Sequence, residues 1–485
     1  LQYHFAIAGN ASQHRLSLIS NQLQSAIDTR NDLQPTRRHQ QRLRRQQKRK
    51  DRASVVDNLC EPWCHRDPQT FARRARVHEL GNLRFKSTRN HTPLHVLQST
   101  LHQLQLDLAV KYSRDFDPTL EQRWRQTLAD DIADGYAHDT QYVPTTEEVQ
   151  RALGRMKAGA DAIGLPVKVL KATVGTPAFA TIVSRIQDMW RTGVTPDSFQ
   201  LSRVHLIHKA GPHHLLSSHR TIGICSAMSR LLQTVLEAKL MSEVAHKICP
   251  AQYGFMRGRA TELCVFVAQS ATFCARADGA TVDSVKLDIK GAFPTTRHTH
   301  IHAALRAYKV SVGIRRLLIG WYARQRLFLQ IGRLVSDVVL QSMGVTEGAV
   351  FSPIVYNIVI DPSLQRTHSL YLWANIRHTV RIGISVLGLC VIVLFYADDG
   401  NLLHIRPPAM QLSLDVLGGD FAALDYEFNA AVNKSAVMRW LPIDKAAKRA
   451  ARQQPPPVYM LCDKELPQTD RYKYLGVREH TQSVI

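Results

Sequence analysis

Two adjacent carboxylates, Asp398 and Asp399, stand between an apolar run and a glycine in the stretch "VLFYADDGNLLHI" at positions 393–405. The run is rich in β-branched and aromatic residues, which favour buried strands, and it is shorter than the roughly 20 apolar residues of a membrane-spanning helix. "DDG" has the composition of a turn, so the sequence predicts a β-hairpin with both aspartates at or beside its tip. Aspartate also favours turns through its own hydrogen bonds, and the pair alone does not define a site.

A third carboxylate, Asp288, ends the strand-like stretch "SVKLDIKGAF" at positions 284–293. Val285, Leu287 and Ile289 alternate along this stretch, which places Asp288 on the opposite face at the end of the strand. An isolated aspartate there would more often cap a strand end than bind a ligand. If this strand and the hairpin pair in one sheet, however, the three carboxylates converge.

Converging carboxylates have a specific chemical use. They repel one another and shift one another's pKa values unless a cation lies between them, so a tight cluster indicates a metal site. Oxygen ligands suit Mg²⁺, which proteins hold through one or two carboxylates together with substrate phosphates. Two such ions about 4 Å apart can stabilise the attacking and leaving oxygens of an in-line phosphoryl displacement. The cluster therefore indicates nucleotidyl transfer.

The bulk composition favours a polyanionic partner. Lys and Arg number 62 against 40 Asp and Glu, a formal net charge of +22, and this excess of positive charge is typical of proteins that bind nucleic acid. A basic protein of the membrane surface is the competing interpretation, but neither a long amphipathic basic helix nor a lipidation signal supports it.

Cysteine usage indicates an intracellular protein, nuclear or cytoplasmic and not secreted. The cysteines follow no disulfide framework, and Cys60, Cys64 and His65 lack a second ligand pair at a zinc-finger distance. The chain begins with Leu1, without a signal or transit sequence, which suggests a piece of a longer reading frame.

The sequence divides near residue 141 and predicts an α+β fold. Residues 1–140 form a basic, helix-prone N-terminal extension whose densest charge run is "RRHQQRLRRQQKRK" at 37–50. A capping box from Thr145 to Glu148 then opens a helix with Val149, Ala152, Leu153 and Met156 at helical spacing. Beyond it, helical segments alternate with strand-like runs, among them 204–211 and 282–289.

The carboxylate motifs resemble those of reverse transcriptases, in particular the LINE-like branch of non-LTR retrotransposons. "FYADD" (395–399) and "LDIKGAF" (287–293) are similar to the two catalytic motifs. The family's other motifs are matched in chain order by "RMKAGADAIGLPVKVLK" (155–171), "VHLIHKAG" (204–211), "AQYGFMRGRATE" (251–262), "GVTEGAVFSPIVYNIVI" (344–360), "NKSAVMRW" (433–440) and "YKYLGV" (472–477).

The resemblance implies an RNA-directed DNA polymerase with the fingers and palm of a right-hand fold, and an antiparallel palm sheet flanked by helices. The fingers and the preceding segment would occupy residues 141–280, the palm 281–460, and a primer-grip hairpin with the start of a mostly missing thumb 461–485. Its implied partners are an RNA template, a DNA primer or target and deoxynucleoside triphosphates, with no membrane and no obligate protein partner.

The resemblance also implies roles for individual residues. Asp288, Asp398 and Asp399 would hold two Mg²⁺ ions, for which Mn²⁺ is a possible substitute, and Lys434 would donate a proton to the leaving pyrophosphate. Phe293 would crowd the sugar 2′ position and favour deoxyribonucleotides. The remaining implied contacts are with the nucleotide, through Lys209, Arg220, Glu347, Gly348 and Tyr396, and with template or primer, through Gly258, Arg259, Tyr474, Leu475 and Gly476.

Among the departures from the family pattern, the one in the palm loop bears on activity. Thr346, Glu347, Gly348 and Ala349 replace the usual Pro-Gln-Gly-Ser, and the negative charge of Glu347 is expected to weaken nucleotide binding. Pro294 replaces a common Asp, a change expected only to shift the start of a helix, and Ala162 and Ile163 are extra residues between Asp161 and Gly164. A nucleic-acid-binding remnant without catalysis is therefore the main alternative; a group II intron maturase or a telomerase would need domains that this sequence lacks.

Overall fold

The computed structural model describes residues 94–113, 117–136, 141–157, 166–209, 211–212, 214–331, 334–378, 384–386, 389–391, 393–431 and 433–481. The basic run at 37–50, the Cys60–His65 segment and part of the motif at 155–171 lie outside these residues. Among the residues described, no helix is long and apolar enough to cross a membrane.

The helices are distributed along the whole described part of the chain. They are α1 (Leu94–Tyr112), α2 (Leu120–Ala133), α3 (Thr146–Arg155), α4 (Val167–Ala172), α5 (Pro177–Thr192), α6 (Asp197–Gln200), α7 (Ala227–Val244), α8 (Thr261–Ala277), α9 (Ala292–Thr295), α10 (His298–Ala307), α11 (Val312–Arg324), α12 (Ser352–His378), α13 (Pro407–Ala423) and α14 (Lys445–Gln453).

Within the described residues, the strands form two larger sheets and three short hairpins. They are β1 (Leu201–His208), β2 (His219–Ile224), β3 (Val282–Asp288), β4 (Arg326–Ile331), β5 (Leu334–Val335), β6 (Val339–Leu340), β7 (Ile384–Val386), β8 (Leu389–Val391), β9 (Val393–Tyr396), β10 (Asp399–His404), β11 (Ala436–Trp440), β12 (Met460–Leu461), β13 (Lys464–Glu465), β14 (Arg471–Tyr474) and β15 (Val477–His480). Mixed helices and sheets confirm the predicted α+β class.

The first sheet has the order β2-β1-β4-β5, with β6 also paired to β4. Strands β1 and β2 are antiparallel, whereas β1 and β4 are parallel. Helix α1 packs on this sheet because Leu104, Leu108 and Tyr112 recur at helical spacing and are buried in one cluster with residues of β1, β4 and β6. This packing places the C-terminal end of α1 beside β2, where the Tyr112 hydroxyl lies 2.9 Å from Thr221 Oγ1.

The second sheet has the order β11-β3-β10-β9 and is antiparallel throughout. Val285 and Leu287 of β3 face the main hydrophobic core, as their alternation predicts. The opposite face of β3 is also covered, because Ser284 and Lys286 are buried there. A β-bridge between Gln252 and Phe395 joins the segment before α8 to the outer edge of β9.

Helices on both sides of residue 141 pack together. Trp124 and Leu128 of α2 belong to the main core, and the buried Asp131 forms ion pairs with Arg315 Nη2 of α11 at 2.6 Å and Arg306 Nη2 of α10 at 2.9 Å. The predicted capping box of α3 is confirmed, since Thr145 and Glu148 cap each other's backbone N–H groups. The compact unit that contains the two sheets begins at Thr92.

Candidate active site

The predicted β-hairpin that carries Asp398 and Asp399 is confirmed. Strands β9 and β10 are joined by Ala397 and Asp398, and Asp399 is the first residue of β10, paired with Tyr396 of β9. On the other side of β10, Asp399 is directly opposite Asp288 at the end of β3. Side chains directly opposite in an antiparallel pair have Cβ atoms about 5 Å apart. The register therefore brings the three predicted carboxylates to one end of the second sheet, although 110 positions separate Asp288 from Asp398.

A buried glutamine holds the turn that carries Asp398. Ala397 has φ +59°, a left-handed conformation that is uncommon for a residue with a side chain. The Ala397 N–H donates to Gln252 Oε1 at 2.9 Å, and the Gly254 N–H donates to the same oxygen at 2.8 Å. Gly254 is required there, because a Cβ would lie 2.2 Å from the Ala397 nitrogen. Gln252 is thus a positioning residue that sequence reasoning missed; its motif was recognised, but its partner lies 145 positions away.

The carboxylates perturb one another. Burial raises the pKa of Asp399 to about 6, and the charges of Asp398 and Asp288 add to this effect, while Lys434 and Arg220 oppose it. Burial also raises the pKa of Asp398, with the charge of Asp288 acting in the same direction. Both pKa values are raised, as expected when like charges share a site, and a bound cation would lower them.

Lys434 lies beside the first of these carboxylates. Its Nζ donates to Asp288 Oδ1 at 3.0 Å. The turn that carries Lys434 is fixed to β3, because the Asp288 N–H donates to Ser435 Oγ at 3.1 Å. The Tyr472 hydroxyl donates to the Lys434 carbonyl oxygen, and this bond links the turn to the hairpin of β14 and β15.

The donor set fits a divalent cation that is shared with a substrate. Its three groups are carboxylates, the oxygen ligands that Mg²⁺ prefers, and burial together with neighbouring negative charge raises the pKa values of Asp398 and Asp399. Within the described residues, no group of three or more acidic, histidine or cysteine side chains is arranged so that it could hold a metal ion without a further ligand source. Mg²⁺ is commonly bound by one or two carboxylates plus substrate phosphates, so an open set of this kind suffices.

The predicted triphosphate-binding cations lie at the first sheet. Lys209 follows β1, and its N–H donates to the Ser218 carbonyl oxygen at 2.8 Å. Arg220 is an exposed residue of β2, and its charge is close enough to oppose the raised pKa values of Asp398 and Asp399. Arg220 therefore lies on the same side of the molecule as the carboxylates.

Phe293 is half-buried in α9, next to the carboxylate end of β3. Its ring is perpendicular to that of Tyr356 at 5.1 Å between centroids and lies 6.4 Å from the ring of Phe255. The ring of Tyr396 also lies 6.4 Å from Phe255. Phe293 and Tyr396 are thus brought together through Phe255, another residue that the sequence did not single out.

Glu347 and Gly348 are fixed against β2. The Gly223 N–H donates to the Glu347 carbonyl oxygen at 2.6 Å. Gly348 has φ +106°, and a Cβ there would lie 2.6 Å from the Gly223 carbonyl oxygen, so this position requires glycine. The Glu347 carboxylate lies 3.7 Å from Lys111 Nζ of α1.

The two residues predicted to contact the template, Gly258 and Arg259, differ in their surroundings. Gly258 has φ +75° and open space beside it. The Arg259 guanidinium, in contrast, donates to the carbonyl oxygens of Cys249 and Gln252. The structure therefore gives Arg259 a role in holding the loop that contains Gln252, and contact with template phosphate remains a prediction.

The predicted hairpin at "YKYLGV" is confirmed as β14 and β15. Leu475 and Gly476 form its two-residue turn with φ values of +46° and +89°, as a tight hairpin requires. Tyr474 is only 2% exposed and lies in the core, so its side chain offers no surface to a primer. The exposed part of the tip is Gly476, with Leu475 half-buried.

The sequence analysis did not predict a buried ion pair that lies beneath this hairpin. Lys286 Nζ lies 2.8 Å from Glu479 Oε2, and both side chains are less than 5% exposed. The Lys286 ammonium also lies 4.2 Å from the centroid of the Tyr474 ring. Because a buried charge without its partner is costly, this pair fixes the hairpin to β3.

Comparison with known proteins identifies the class to which this fold and site belong. Residues 207–478, more than half of the chain, match the family described as reverse transcriptase (RNA-dependent DNA polymerase). The chain belongs to this family. Reverse transcriptases generally use divalent metal ions, in agreement with the carboxylate donor set.

The individual relatives are proteins of retrotransposable elements. The chain is 26% identical over 288 residues to the Retrovirus-related Pol polyprotein from type-1 retrotransposable element R2 of Popillia japonica, covering 59% of this chain and 38% of that protein. It is 25% identical over 291 residues to the Pol polyprotein from type-2 retrotransposable element R2DM of Drosophila melanogaster, covering 59% and 26%. It is also similar to the Transposon TX1 uncharacterized 149 kDa protein of Xenopus laevis, at 24% identity over 179 residues.

The aligned part is less than two fifths of each of these two Pol polyproteins. The predicted kinship with non-LTR reverse transcriptases is confirmed by the family match and by these relatives.

Proposed function

We propose that this chain extends the 3′-hydroxyl of a primer along an RNA template by two-metal nucleotidyl transfer. The observation that carries this proposal is the pairing of Asp399 with Asp288, with Asp398 in the adjoining turn. Three carboxylates at one sheet end, in a member of the reverse transcriptase family, have a direct use in binding the ions that assist phosphoryl displacement.

The two sheets correspond to the palm and fingers of the proposed polymerase. The antiparallel sheet β11-β3-β10-β9 carries the carboxylates and is the proposed palm sheet. The β1–β2 pair carries Lys209 and Arg220 and belongs to the proposed fingers. The hairpin of β14 and β15 is the proposed primer grip, and the division at residues 140, 280 and 460 remains part of the proposal.

Asp288, Asp398 and Asp399 would hold the divalent ions, Mg²⁺ with Mn²⁺ as a substitute. When bound, such ions stabilise the negative charge that develops on the attacking and leaving oxygens of the displacement. Their positive charge would also keep Asp399 ionised at neutral pH, against the burial that raises its pKa to about 6.

The chain's own cations and rings have complementary roles. Lys209 and Arg220 would bind the triphosphate, Arg220 in bidentate fashion. Lys434, which contacts Asp288, would protonate the leaving pyrophosphate. Phe293 would crowd the sugar 2′ position, and its half-buried place in α9, next to the carboxylate end of β3, supports this role.

The substrates of this proposal are an RNA template, a DNA primer or target and deoxynucleoside triphosphates. Intracellular action in the nucleus or cytoplasm remains a prediction from the sequence.

Primer extension by the full chain tests the proposal. A labelled DNA primer annealed to an RNA template should be extended to the template end when dNTPs and Mg²⁺ are added, and excess chelator should abolish extension. The same primer on a non-complementary RNA is the control for templating. Binding of the primer–template without extension under Mg²⁺ or Mn²⁺ would instead support the nucleic-acid-binding remnant.

A further inference from the structure

Helix α14 carries a stripe of four cations. Lys445, Lys448, Arg449 and Arg452 follow the i, i+3, i+4, i+7 spacing and fall within an arc of about 100° on the helix surface. This set is called the cationic stripe below. The alanines of the helix occupy the other side, so the sequence "KAAKRAARQ" divides cleanly into a charged and a neutral face.

Nothing in the described part of the chain neutralises the cationic stripe. No ion pair within this part involves any of its four residues, of which Lys445, Arg449 and Arg452 are exposed and Lys448 is half-buried. The nearest acid along the chain, Asp444, caps the helix by accepting from the Ala447 N–H at 2.8 Å. Like charges three and four residues apart destabilise a helix, so the stripe is unfavourable by itself.

The packing of α14 provides no stabilisation that would offset the repulsion between these cations. The helix contains no buried residue, whereas most helices owe their stability to packing of an apolar face. Four cations that neither pair with an acid nor cover a core suit a polyanionic surface, which would remove their mutual repulsion.

The stripe is remote from the carboxylates. Strand β11 runs from Ala436, opposite Lys286, to Trp440, opposite Val282, and α14 begins five residues further on. Asp288 is at the other end of β3, six residues from Val282, a separation of about 20 Å along the strand. A ligand of the stripe is therefore bound outside the cluster of Asp288, Asp398 and Asp399.

We propose that the cationic stripe binds the phosphate backbone of helical RNA outside the primer–template site. The inference rests on the proposed function in taking the template to be RNA, whose folded parts extend beyond the residues being copied. The stripe is about 10 Å long. A-form RNA has a deep, narrow major groove, so cations at the two ends of the stripe can contact the phosphates that border it.

This surface contributes affinity without sequence preference. Contacts with phosphates position a nucleic acid but do not read its bases. Each neutralised phosphate releases counterions, so the four cations contribute a measurable part of the salt dependence of binding.

The test compares the full parent chain with a variant in which all four stripe residues are changed to Gln. A matched control removes the same number of positive charges from exposed or half-buried arginines that already pair with an acid, by the changes Arg123→Gln, Arg191→Gln, Arg326→Gln and Arg366→Gln. Fluorescence anisotropy then gives the affinity for an RNA hairpin, single-stranded RNA and a B-form DNA duplex as a function of salt. An unchanged melting temperature shows that the stripe variant is folded.

The stripe variant should bind the RNA hairpin about tenfold more weakly at 0.1 M salt, and the slope of log affinity against log salt should fall by about two to three. The matched control should change the slope by less than one. Extension of a short primer–template should equal that of the parent, because the stripe lies outside the catalytic cluster.

An unchanged slope for the hairpin, or an equal change in the matched control, would overturn the inference. A larger loss for B-form DNA or single-stranded RNA than for the hairpin would overturn its assignment to helical RNA. If the parent chain binds the RNA hairpin through the cationic stripe but extends no primer, the proposed polymerase activity is contradicted. RNA binding by the cationic stripe is then still supported.

Discussion

Lys111 Nζ lies 3.7 Å from Glu347 Oε1, and the same ammonium donates to Thr221 Oγ1 at 2.8 Å. This contact joins the last turn of α1 to the loop in which Glu347 replaces the family's usual glutamine. Burial lowers the pKa of Lys111, and the charge of Glu347 opposes that shift. The negative charge of Glu347, which is proposed to lie near the nucleotide, is thus partly offset by a cation more than 200 positions away.

The Lys111–Glu347 pair makes the effects of the two residues interdependent. Lys111→Met should raise the KM for dNTPs several-fold, because it leaves the Glu347 carboxylate without its partner. Glu347→Gln alone should lower KM only slightly, and the double variant should return close to the parent. Steady-state primer extension measures these values, and a double-mutant cycle with a coupling of about 0.5–1 kcal/mol is expected. Strictly additive effects would show that the pair does not act at the nucleotide.

Gln252→Leu should reduce both stability and activity. The substitution leaves the N–H groups of Ala397 and Gly254 without their acceptor, and each unsatisfied buried group costs about 1–3 kcal/mol. Because Ala397 adjoins Asp398, extension should fall by more than the loss of folded protein explains. Gln200→Leu is the matched control, since Gln200 is also fully buried and binds Thr195 and the Gly320 carbonyl oxygen. Equal loss of activity per folded molecule in both variants would contradict a positioning role for Gln252.

Phe293→Ala should increase ribonucleotide incorporation while the protein remains folded. The ring is only partly buried, so truncation should cost less than the 3–5 kcal/mol or so of a core phenylalanine. Phe421→Ala, at a fully buried ring, is the control for core truncation. The ratio of rNTP to dNTP incorporation and the melting temperature are measured together. A large fall in melting temperature with an unchanged sugar preference would identify Phe293 as a core residue.

The Asp399 carboxyl should make the stability of the metal-free protein depend on pH. Its pKa of about 6 lies above its ordinary value because of burial and the charges of Asp398 and Asp288. The folded chain thus holds this proton more tightly than the unfolded chain does, so the group's contribution to stability is lost as pH rises from about 4 to about 6.

Asp399→Asn should accordingly raise the free energy of unfolding by about 1–3 kcal/mol at pH 7.5 in the presence of chelator, and by much less at pH 4. Asp415→Asn, at an exposed position of α13, is the control for loss of one negative charge. Thermal unfolding at the two pH values measures the difference. An equal increase in the free energy of unfolding at both pH values would mean that ionisation of Asp399 does not cause the increase.

Local patterns were sufficient to predict the elements that carry the chemistry. The apolar run before "DDG" predicted the β9–β10 hairpin, the alternation of Val285 and Leu287 predicted β3, and the Thr145–Glu148 box predicted the start of α3. Each of these signals lies within a few residues, where backbone preference and side-chain period act directly.

The supporting contacts could not be predicted because their partners are distant in sequence. In the sequence, Lys286 is an ordinary lysine of a strand. Its role becomes visible only in the structure, where it forms a buried ion pair with Glu479. Gln252 acquires its role only when β9 lies beside it, and Lys111 only when α1 packs on the first sheet. In each case the tertiary packing, rather than local propensity, determines what the side chain contacts.

The rate of primer extension by Asp398→Asn tests the central claim most directly, namely that the convergent carboxylates catalyse metal-dependent nucleotidyl transfer. Asparagine keeps the shape of the side chain but removes the charge that would bind the cation. We predict that the single-turnover rate with Mg²⁺ falls by about a thousandfold or more while the affinity for the primer–template changes by less than about twofold. Extension by the folded variant at a rate close to that of the parent would contradict the account.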